Sequence, residues 1–394
     1  MKFLSRVENQ TLVAILLSVT GALLWPSLFL SLSIFGDLFL RLLKMVVAPL
    51  IFTSVFVSLV RIRNFRVLER LGWRTMAYYL GTTGLSVLTG LLLVNLLHPS
   101  APLLHGKPPA LHPFSLRDLL LGLFPENIVQ SFARTEVIPI IFLALVLGIS
   151  VLRVGHRAEP LSRFFEALNE ALLILTRGII RFTPLGVFFL VGAIIAREGL
   201  SPLRGLLGYV GTVTLGLFLH VAVTLPLLLY LFARTQPGAY FLSVREAPLL
   251  AFSTASSSAT LPVTLEVAEE KAGISPEVAG FVLPLGSTIN MDGTALYEAV
   301  AAMFIAHSYG LKLDLLQQIL VFITAVLASV GAAGIPSAGL VTMTLVLQSV
   351  GLPLEGLGLI LAVDRFLDML RTSVNVWGDL VGAKIIDSWL RKEG

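Results

Sequence analysis

The stretch from Asp364 to Asp379 places several charged and amide side chains inside an apolar region long enough to cross a bilayer. At about 100° per residue, Asp364, Asp368, Arg371, Asn375 and Asp379 fall within roughly 60–80° of one another on a helix. Phe366, Leu367, Leu370 and Val374 take the other faces. A charge at mid-bilayer costs at least ~2.5–3.5 kcal/mol, so such residues line an aqueous cavity, pair with one another or bind an ion or substrate. Three carboxylates here face one arginine and one amide. Pairing alone would leave acceptors over, and the excess favours a binding site with a cation in it over a self-neutralising ion-pair cluster.

A second polar stretch runs Asn290-Met291-Asp292-Gly293-Thr294-Ala295-Leu296-Tyr297-Glu298. On an unbroken helix Asn290, Thr294 and Glu298 share a face and Asp292 points away. Gly293 offers a place to unwind, which would bring Asp292 and free carbonyls to a common centre. Carboxylate, amide and carbonyl oxygens suit Na⁺, and broken helices hold Na⁺ through carbonyls and helix C-terminal ends. Glu298 has no basic residue within a turn. A glutamate at that depth is tolerated where it is protonated or paired, which makes it a candidate proton carrier, with a fixed hydrogen-bonded role as the alternative.

The rest of the chain supplies a membrane setting for these groups. Of 394 residues 56% are hydrophobic and only 13% charged, against about 25% charged in soluble domains. Apolar runs near 11–33, 43–60, 76–97, 137–152, 169–194 and 204–233 meet the roughly 20-residue criterion for a span. After residue 234 the runs are interrupted. Ser253 to Pro262 splits one and Gly331 to Gly339 splits another, each leaving arms too short to cross but able to enter and return. Exposed backbone of that kind survives in a bilayer only when buried in protein or lining a cavity. Each broken segment precedes a polar span, 278–309 and 356–388. Broken hairpin followed by polar helix, occurring twice, is the pattern of an internal repeat in a secondary transporter.

Charge and composition narrow the rest. Lys2 and Arg6 precede the first span, Arg61, Arg63, Arg66, Arg70 and Arg74 follow the second, and Arg153, Arg157 and Arg163 follow the fourth, whereas 98–116 holds only Lys107. The alternation puts the N-terminus in the cytoplasm and explains the net charge of +4 without a nucleic-acid partner. The charged start is read as leading into a first span, not a removed signal peptide. Arg177 and Arg181 do not fit a simple lipid-facing helix within 169–194. There is no cysteine, and the histidines form no HxxH-type cluster; His98, His105 and His112 fall in a proline-rich loop. The absence of a GxxxxGK[ST] loop or a dinucleotide fingerprint disfavours an ATP-driven pump. No nucleophile–base pair suggests an enzyme. A channel or receptor with a structural charge cluster is the alternative from another class, and saturable, gradient-dependent uptake would exclude it.

Ser256-Ser257-Ser258, Asn290-Met291-Asp292-Gly293-Thr294, Gly334-Ile335-Pro336 and Asp368…Arg371-Thr372…Asn375…Asp379 resemble, in order, the motifs of the glutamate transporter family. Tyr78-Tyr79-Leu80-Gly81-Thr82-Thr83 and Pro184-Leu185-Gly186-Val187-Phe188 extend the resemblance over essentially the whole chain. It implies an all-α polytopic membrane protein with eight transmembrane helices, two re-entrant helical hairpins and inverted repeats, working as an elevator-type transporter and assembled as a homotrimer. Residues 1–75 and 117–200 would form scaffold helices 1, 2, 4 and 5. Residues 76–98 would be transport-domain helix 3, and 201–394 the transport-domain core of helix 6, hairpin 1, helix 7, hairpin 2 and helix 8.

The resemblance implies roles by residue. Arg371 would receive a side-chain carboxylate through its planar fork, with Thr294 assisting. Asp368 and Thr372 would take the ammonium. Asn375, Ser257 and hairpin-tip backbone, including Ile335, would take the α-carboxylate. One cation site would use Gly286, Asn290, Asn375 and Asp379. A second would use Thr288, Ser329, Val330 and Ala332 near the Met291 sulfur, and a third Tyr79, Thr82, Thr83, Asn290 and Asp292. Asp364 is expected to orient the stripe. Ala255 and Met369 stand where archaeal and eukaryotic members, respectively, carry a second arginine. Glu298 matches proton-coupled members, whereas sodium-only ones tend to have glutamine.

The expected function is therefore uptake of L-aspartate and L-glutamate across the cell membrane, coupled to co-transported Na⁺ and, through Glu298, to H⁺, with no organic cofactor. The alternatives are a C4-dicarboxylate or neutral amino acid symporter of the same fold, or a purely proton-coupled glutamate symporter. Arg371 argues against neutral substrates, and Asp368 against plain dicarboxylates.

Overall fold

A computed structural model describes residues 7–60, 71–101, 124, 126–134, 137–331 and 338–391, and among them all regular structure is helical. The first half comprises α1 (Val7–Leu24), α2 (Pro26–Ser31), α3 (Ser33–Val60), α4 (Trp73–Leu97), α5 (Ile128–Arg134), α6 (Val137–Val154), α7 (Glu159–Ile180) and α8 (Thr183–Glu198). The second comprises α9 (Ser201–Leu219), α10 (Leu225–Ala233), α11 (Pro237–Val244), α12 (Glu246–Thr254), α13 (Ser257–Glu266), α14 (Pro276–Ile289), α15 (Asp292–Ser308), α16 (Leu315–Gly331), α17 (Ala338–Ser349) and α18 (Leu357–Leu390).

Two expected spans are not continuous helices. The run 11–33 divides at Trp25, because Pro26 lacks an N–H and starts α2 at its first position. The run 169–194 divides at Arg181–Phe182, with Pro184 in the first turn of α8. That break accounts for the two arginines. Arg177 lies in the last turn of α7 and Arg181 caps it, both exposed, where the helix's negative end favours cations.

Among the described residues, four stretches are long and apolar enough to cross a membrane: Pro26–Val57, Trp73–Leu97, Pro139–Ile180 and Gly205–Ala233. With the shorter apolar helices beside them, these make the chain a multi-pass membrane protein.

The break in Ser253–Pro262 is confined to Ala255 and Ser256. Ala255 is left-handed (φ 49°), Ser256 is extended, and the Ser256 hydroxyl accepts from the Ala259 N–H at 3.2 Å, which caps α13. The second expected break, Gly331 to Gly339, falls mostly on 332–337, which lie outside the described residues between α16 and α17. In each case the two arms pack against one another, α12 on α13 and α16 on α17.

Packing runs along two lines. α1 lies on α8, and α3 on α6, α7 and α8. α18 collects α9, α10, α12, α14 and α15, while α4 lies against α15. α15 is buried at every position from Asp292 to Ala306, and on α18 the polar stripe is enclosed with the apolar residues around it. The stripe faces protein on all sides, which is how a membrane fold keeps such groups from lipid.

Candidate functional site

The central helix breaks at Asn290–Met291, between α14 and α15, and not at Gly293 as the sequence suggests. α14 carries Pro284 within it and runs on to Ile289, where the extended backbone of Asn290 ends it, and α15 restarts at Asp292. Gly293 stays helical. A Cβ there would lie 2.7 Å from the Arg371 carbonyl oxygen, so glycine is required for close approach of α15 to α18. The Gly293 N–H donates to Asn375 Oδ1 at 2.8 Å, and Asn375 Nδ2 reaches the Met291 sulfur at 3.2 Å and Thr294 Oγ1 at 3.3 Å. One amide on α18 thus bonds three groups around the break.

Arg371 sits above this point, 1% exposed. Its Nε donates to Asp368 Oδ1 at 2.9 Å and its Nη1 to Asp364 Oδ1 at 3.0 Å. Its guanidinium carbon lies 4.2 Å from the centre of the Tyr297 ring, and the Tyr297 hydroxyl donates to Asp364 at 2.8 Å. Nη2 approaches Asp368 Oδ1 at 2.9 Å without the alignment of a hydrogen bond. It is an ion-pair contact that leaves donor capacity free. Asp364 is thus the orienting partner of the arginine. Thr372, which follows Arg371 on α18, and Ser257, at the start of α13, are both buried.

Below the break lies an oxygen-rich region. Asp379 Oδ1 accepts from Asn290 Nδ2 at 2.9 Å, while Asn290 Oδ1 is buried with no partner. A Cβ at Gly286 would overlap the Asp379 carboxylate and lie 2.5 Å from the Tyr79 hydroxyl, so the α14 backbone comes directly against both. Asp292 Oδ1 accepts from Thr83 at 2.7 Å and from Thr82 at 3.2 Å. Two fully buried carboxylates and a buried amide oxygen without a partner converge here, and a hard cation fits such a donor set. No group of three or more His, Cys, Asp and Glu side chains with metal-ligand spacing occurs among the described residues, so the donors favour an alkali ion over a transition metal.

The remaining expected cation ligands are divided. Thr288 lies on the last turn of α14, its hydroxyl bonded to the Leu285 carbonyl, and Ser329 and Val330 are buried at the end of α16, which packs on α14. Ala332 and Ile335 lie outside the described residues.

Four partners escaped the sequence reading. His220 Nε2 is 3.0 Å from Asp292 Oδ2, with both side chains fully buried. His220 opens a π-helical turn, His220–Thr224, placed just ahead of α10 with its Pro226 at the second position, and such turns recur at functional sites. Ser86 Oγ donates to the Asp292 carbonyl at 2.8 Å. Tyr297 holds Asp364, and Thr342 on α17 donates to Glu298 Oε1. Glu298 is fully buried and its Oε2 has no partner. Only periodicity could have flagged Tyr297; nothing in the sequence links His220 to Asp292.

Residues 8–389 match the family model described as the sodium:dicarboxylate symporter family. The chain is 37% identical to an excitatory amino acid transporter of Caenorhabditis elegans over 418 residues, covering 93% of this chain and 83% of that protein. It is 37% identical to mouse excitatory amino acid transporter 3, covering 91% and 79% of the two chains, and 38% identical to human excitatory amino acid transporter 2, covering 92% and 74%.

Proposed function

The chain belongs to the sodium:dicarboxylate symporter family, and on that premise we propose that it is a secondary active symporter of L-aspartate and L-glutamate driven by Na⁺. The observation that carries this reading is a buried arginine held between two carboxylates, about two turns along α18 from a buried oxygen-rich region that suits a hard cation. Arg371 would receive the side-chain carboxylate, Asp368 and Thr372 the ammonium, and Asn375, Thr294, Ser257 and Ile335 the rest of the substrate. Entry of substrate would exchange internal pairs for substrate pairs. Na⁺ would occupy the region of Asp379, Asn290 and Gly286 and that of Asp292, Thr82, Thr83 and Tyr79, with a further site at Thr288, Met291, Ser329, Val330 and Ala332. Purified protein in liposomes, with Na⁺, H⁺ and K⁺ gradients varied separately, tests the reading. Labelled aspartate should accumulate only against an inward Na⁺ gradient, and succinate should compete poorly. Strong succinate uptake would favour the C4-dicarboxylate alternative.

The same premise supports an elevator built on eight spans and two re-entrant hairpins in a homotrimer of the cell membrane, N-terminus cytoplasmic. Residues 1–75 and 117–200 would be scaffold; 76–98 and 201–394 would move. The packing of α3 on α6, α7 and α8 and of α1 on α8 supports a scaffold group, which meets the helices around α18 through α8 and α16.

Glu298 is the proposed proton carrier. Its Oε1 is satisfied by Thr342 and its Oε2 is not, which suits a group carrying a hydrogen that substrate or cation rearrangement can release. Na⁺-driven aspartate uptake should then acidify the liposome lumen. Glu298→Gln should abolish the acidification and flatten the pH dependence of uptake, with internal-for-external aspartate exchange intact. A wild type that moves no protons would make Glu298 structural.

His220 should position Asp292. A glutamine at 220 can place an amide donor near the Asp292 carboxylate, whereas alanine leaves Oδ2 bare. His220→Ala should weaken Na⁺ binding by about 10-fold or more, in the range of lost metal-site partners, and His220→Gln should recover most of it. Equal losses in both, read by Na⁺ titration of tryptophan fluorescence, would reduce His220 to packing.

A further inference from the structure

Around Asp379, three tyrosine hydroxyls donate to backbone carbonyls. Tyr78 and Tyr79 are neighbours on α4. Tyr78 donates to the Gly378 carbonyl on α18 at 3.0 Å, and Tyr79 to the Val282 carbonyl on α14 at 2.8 Å. Tyr240 on α11 donates to the Leu380 carbonyl on α18 at 2.7 Å. All three rings are buried. A carbonyl inside a helix already accepts the N–H four residues on, and its second lone pair takes the hydroxyl. Two glycines of α18 admit the fit. A Cβ at Gly382 would lie 2.4 Å from the Tyr78 ring, and one at Gly378 would lie 3.0 Å from Asn290 Nδ2 and 3.1 Å from Asp292 Oδ2.

We infer that Tyr78 and Tyr240 are positioning residues for the cation site, fixing α18 about its own axis so that Asp379 is aimed at Asn290 and Gly286. The inference rests on the sodium reading of that region. Gly378 and Leu380 stand one residue before and one after Asp379, and about 200° apart around the helix. Hydroxyls arriving from α4 and from α11 therefore hold α18 at two nearly opposed points. A helix held at one point can still turn. A turn of about 20° would carry a carboxylate ~5–6 Å from the axis through roughly 2 Å. That is enough to break the 2.9 Å bond between Asp379 Oδ1 and Asn290 Nδ2. Any buried tyrosine hydroxyl needs an acceptor, and most helix carbonyls would serve. These two acceptors differ in bracketing the one carboxylate that meets Asn290. Tyr79, beside Tyr78, bonds α14 in the same way, so α4 ties together the two helices whose groups face each other across the site.

Tyr78→Phe and Tyr240→Phe each remove one hydroxyl and keep the ring. Calorimetric titration of aspartate into the full chain in detergent, at several Na⁺ concentrations, reads the effect. Each variant should raise the Na⁺ concentration needed for half-maximal aspartate affinity by about tenfold, as when an outer-shell partner of a metal ligand is lost. Saturating Na⁺ should restore the wild-type aspartate affinity. Preference for Na⁺ over Li⁺ should fall in parallel, because selection between hard cations depends on the size and rigidity of the site. In an Asp379→Asn background Tyr78→Phe should have little further effect on Na⁺, since the carboxylate it aims is gone. Thr176→Val removes a buried hydroxyl from the Leu172 carbonyl in α7 and should change the melting midpoint at most. Phenylalanine variants that melt lower but keep the wild-type Na⁺ midpoint and Li⁺ discrimination would overturn the inference and leave the sodium reading standing. A wild type whose aspartate binding ignores Na⁺ would overturn both.

Discussion

An Arg371→Cys variant is expected to lose aspartate and glutamate uptake altogether while retaining, or gaining, binding of small neutral amino acids. The guanidinium is 1% exposed and bonded to Asp364 and Asp368. Its planar fork can exchange these partners for a substrate carboxylate without leaving a charge bare. Cysteine cannot. An acidic side chain entering the variant would lie buried beside two carboxylates, and breaking a buried pair costs about 3–5 kcal/mol, more than a hundredfold in affinity. The same loss unpairs Asp364 and Asp368, so some destabilisation accompanies it. Na⁺-dependent binding of serine or alanine, measured in parallel, separates a folded, re-specified carrier from a collapsed one. Undiminished aspartate uptake would remove Arg371 from the substrate site.

What was legible in the sequence followed from helical period and from the cost of charge in lipid. The stripe Asp364, Asp368, Arg371, Asn375 and Asp379 falls on one unbroken helix, α18, so period alone placed it. Asp292 accepts from Thr82 and Thr83, yet the break that frees it is not where the residues suggest. The turn opens at Asn290–Met291, and Gly293 serves contact instead of unwinding. Hydropathy over-read 11–33 and 169–194, because averaging over apolar residues hides what Pro26 and Pro184 do to the backbone. His220 was illegible. A lone histidine in an apolar run reads as core, and only tertiary packing brings it to Asp292, 72 positions away. Glu298 and Thr342 were unconnected for the same reason, since α15 and α17 meet only in three dimensions.

Asp379→Asn should weaken Na⁺ binding and aspartate binding together. Asp379 is buried, accepts from Asn290 Nδ2 at 2.9 Å and presses on the α14 backbone at Gly286. Asparagine keeps the shape and the hydrogen-bonding reach but removes the negative charge that a hard cation needs, so loss of Na⁺ affinity is the primary effect. Aspartate does not touch this carboxylate in the proposed arrangement. Its affinity should nevertheless fall at fixed Na⁺, because two ligands that bind cooperatively must change each other's affinity by the same factor, typically about 5–150-fold. The path is short: Asn290 leads directly to Met291, whose sulfur meets Asn375, and Asn375 also bonds Gly293 and Thr294 beside Arg371. Raising Na⁺ should restore aspartate binding in the variant, since the substrate contacts themselves are intact. Fluorescence titration of aspartate at several Na⁺ concentrations, with Trp377 close by on α18 as reporter, gives both quantities in one experiment. A wild type whose aspartate affinity is indifferent to Na⁺ would end the sodium reading and make proton coupling through Glu298 the leading one. A variant whose aspartate affinity stays low at saturating Na⁺ would mean that Asp379 acts on the substrate directly.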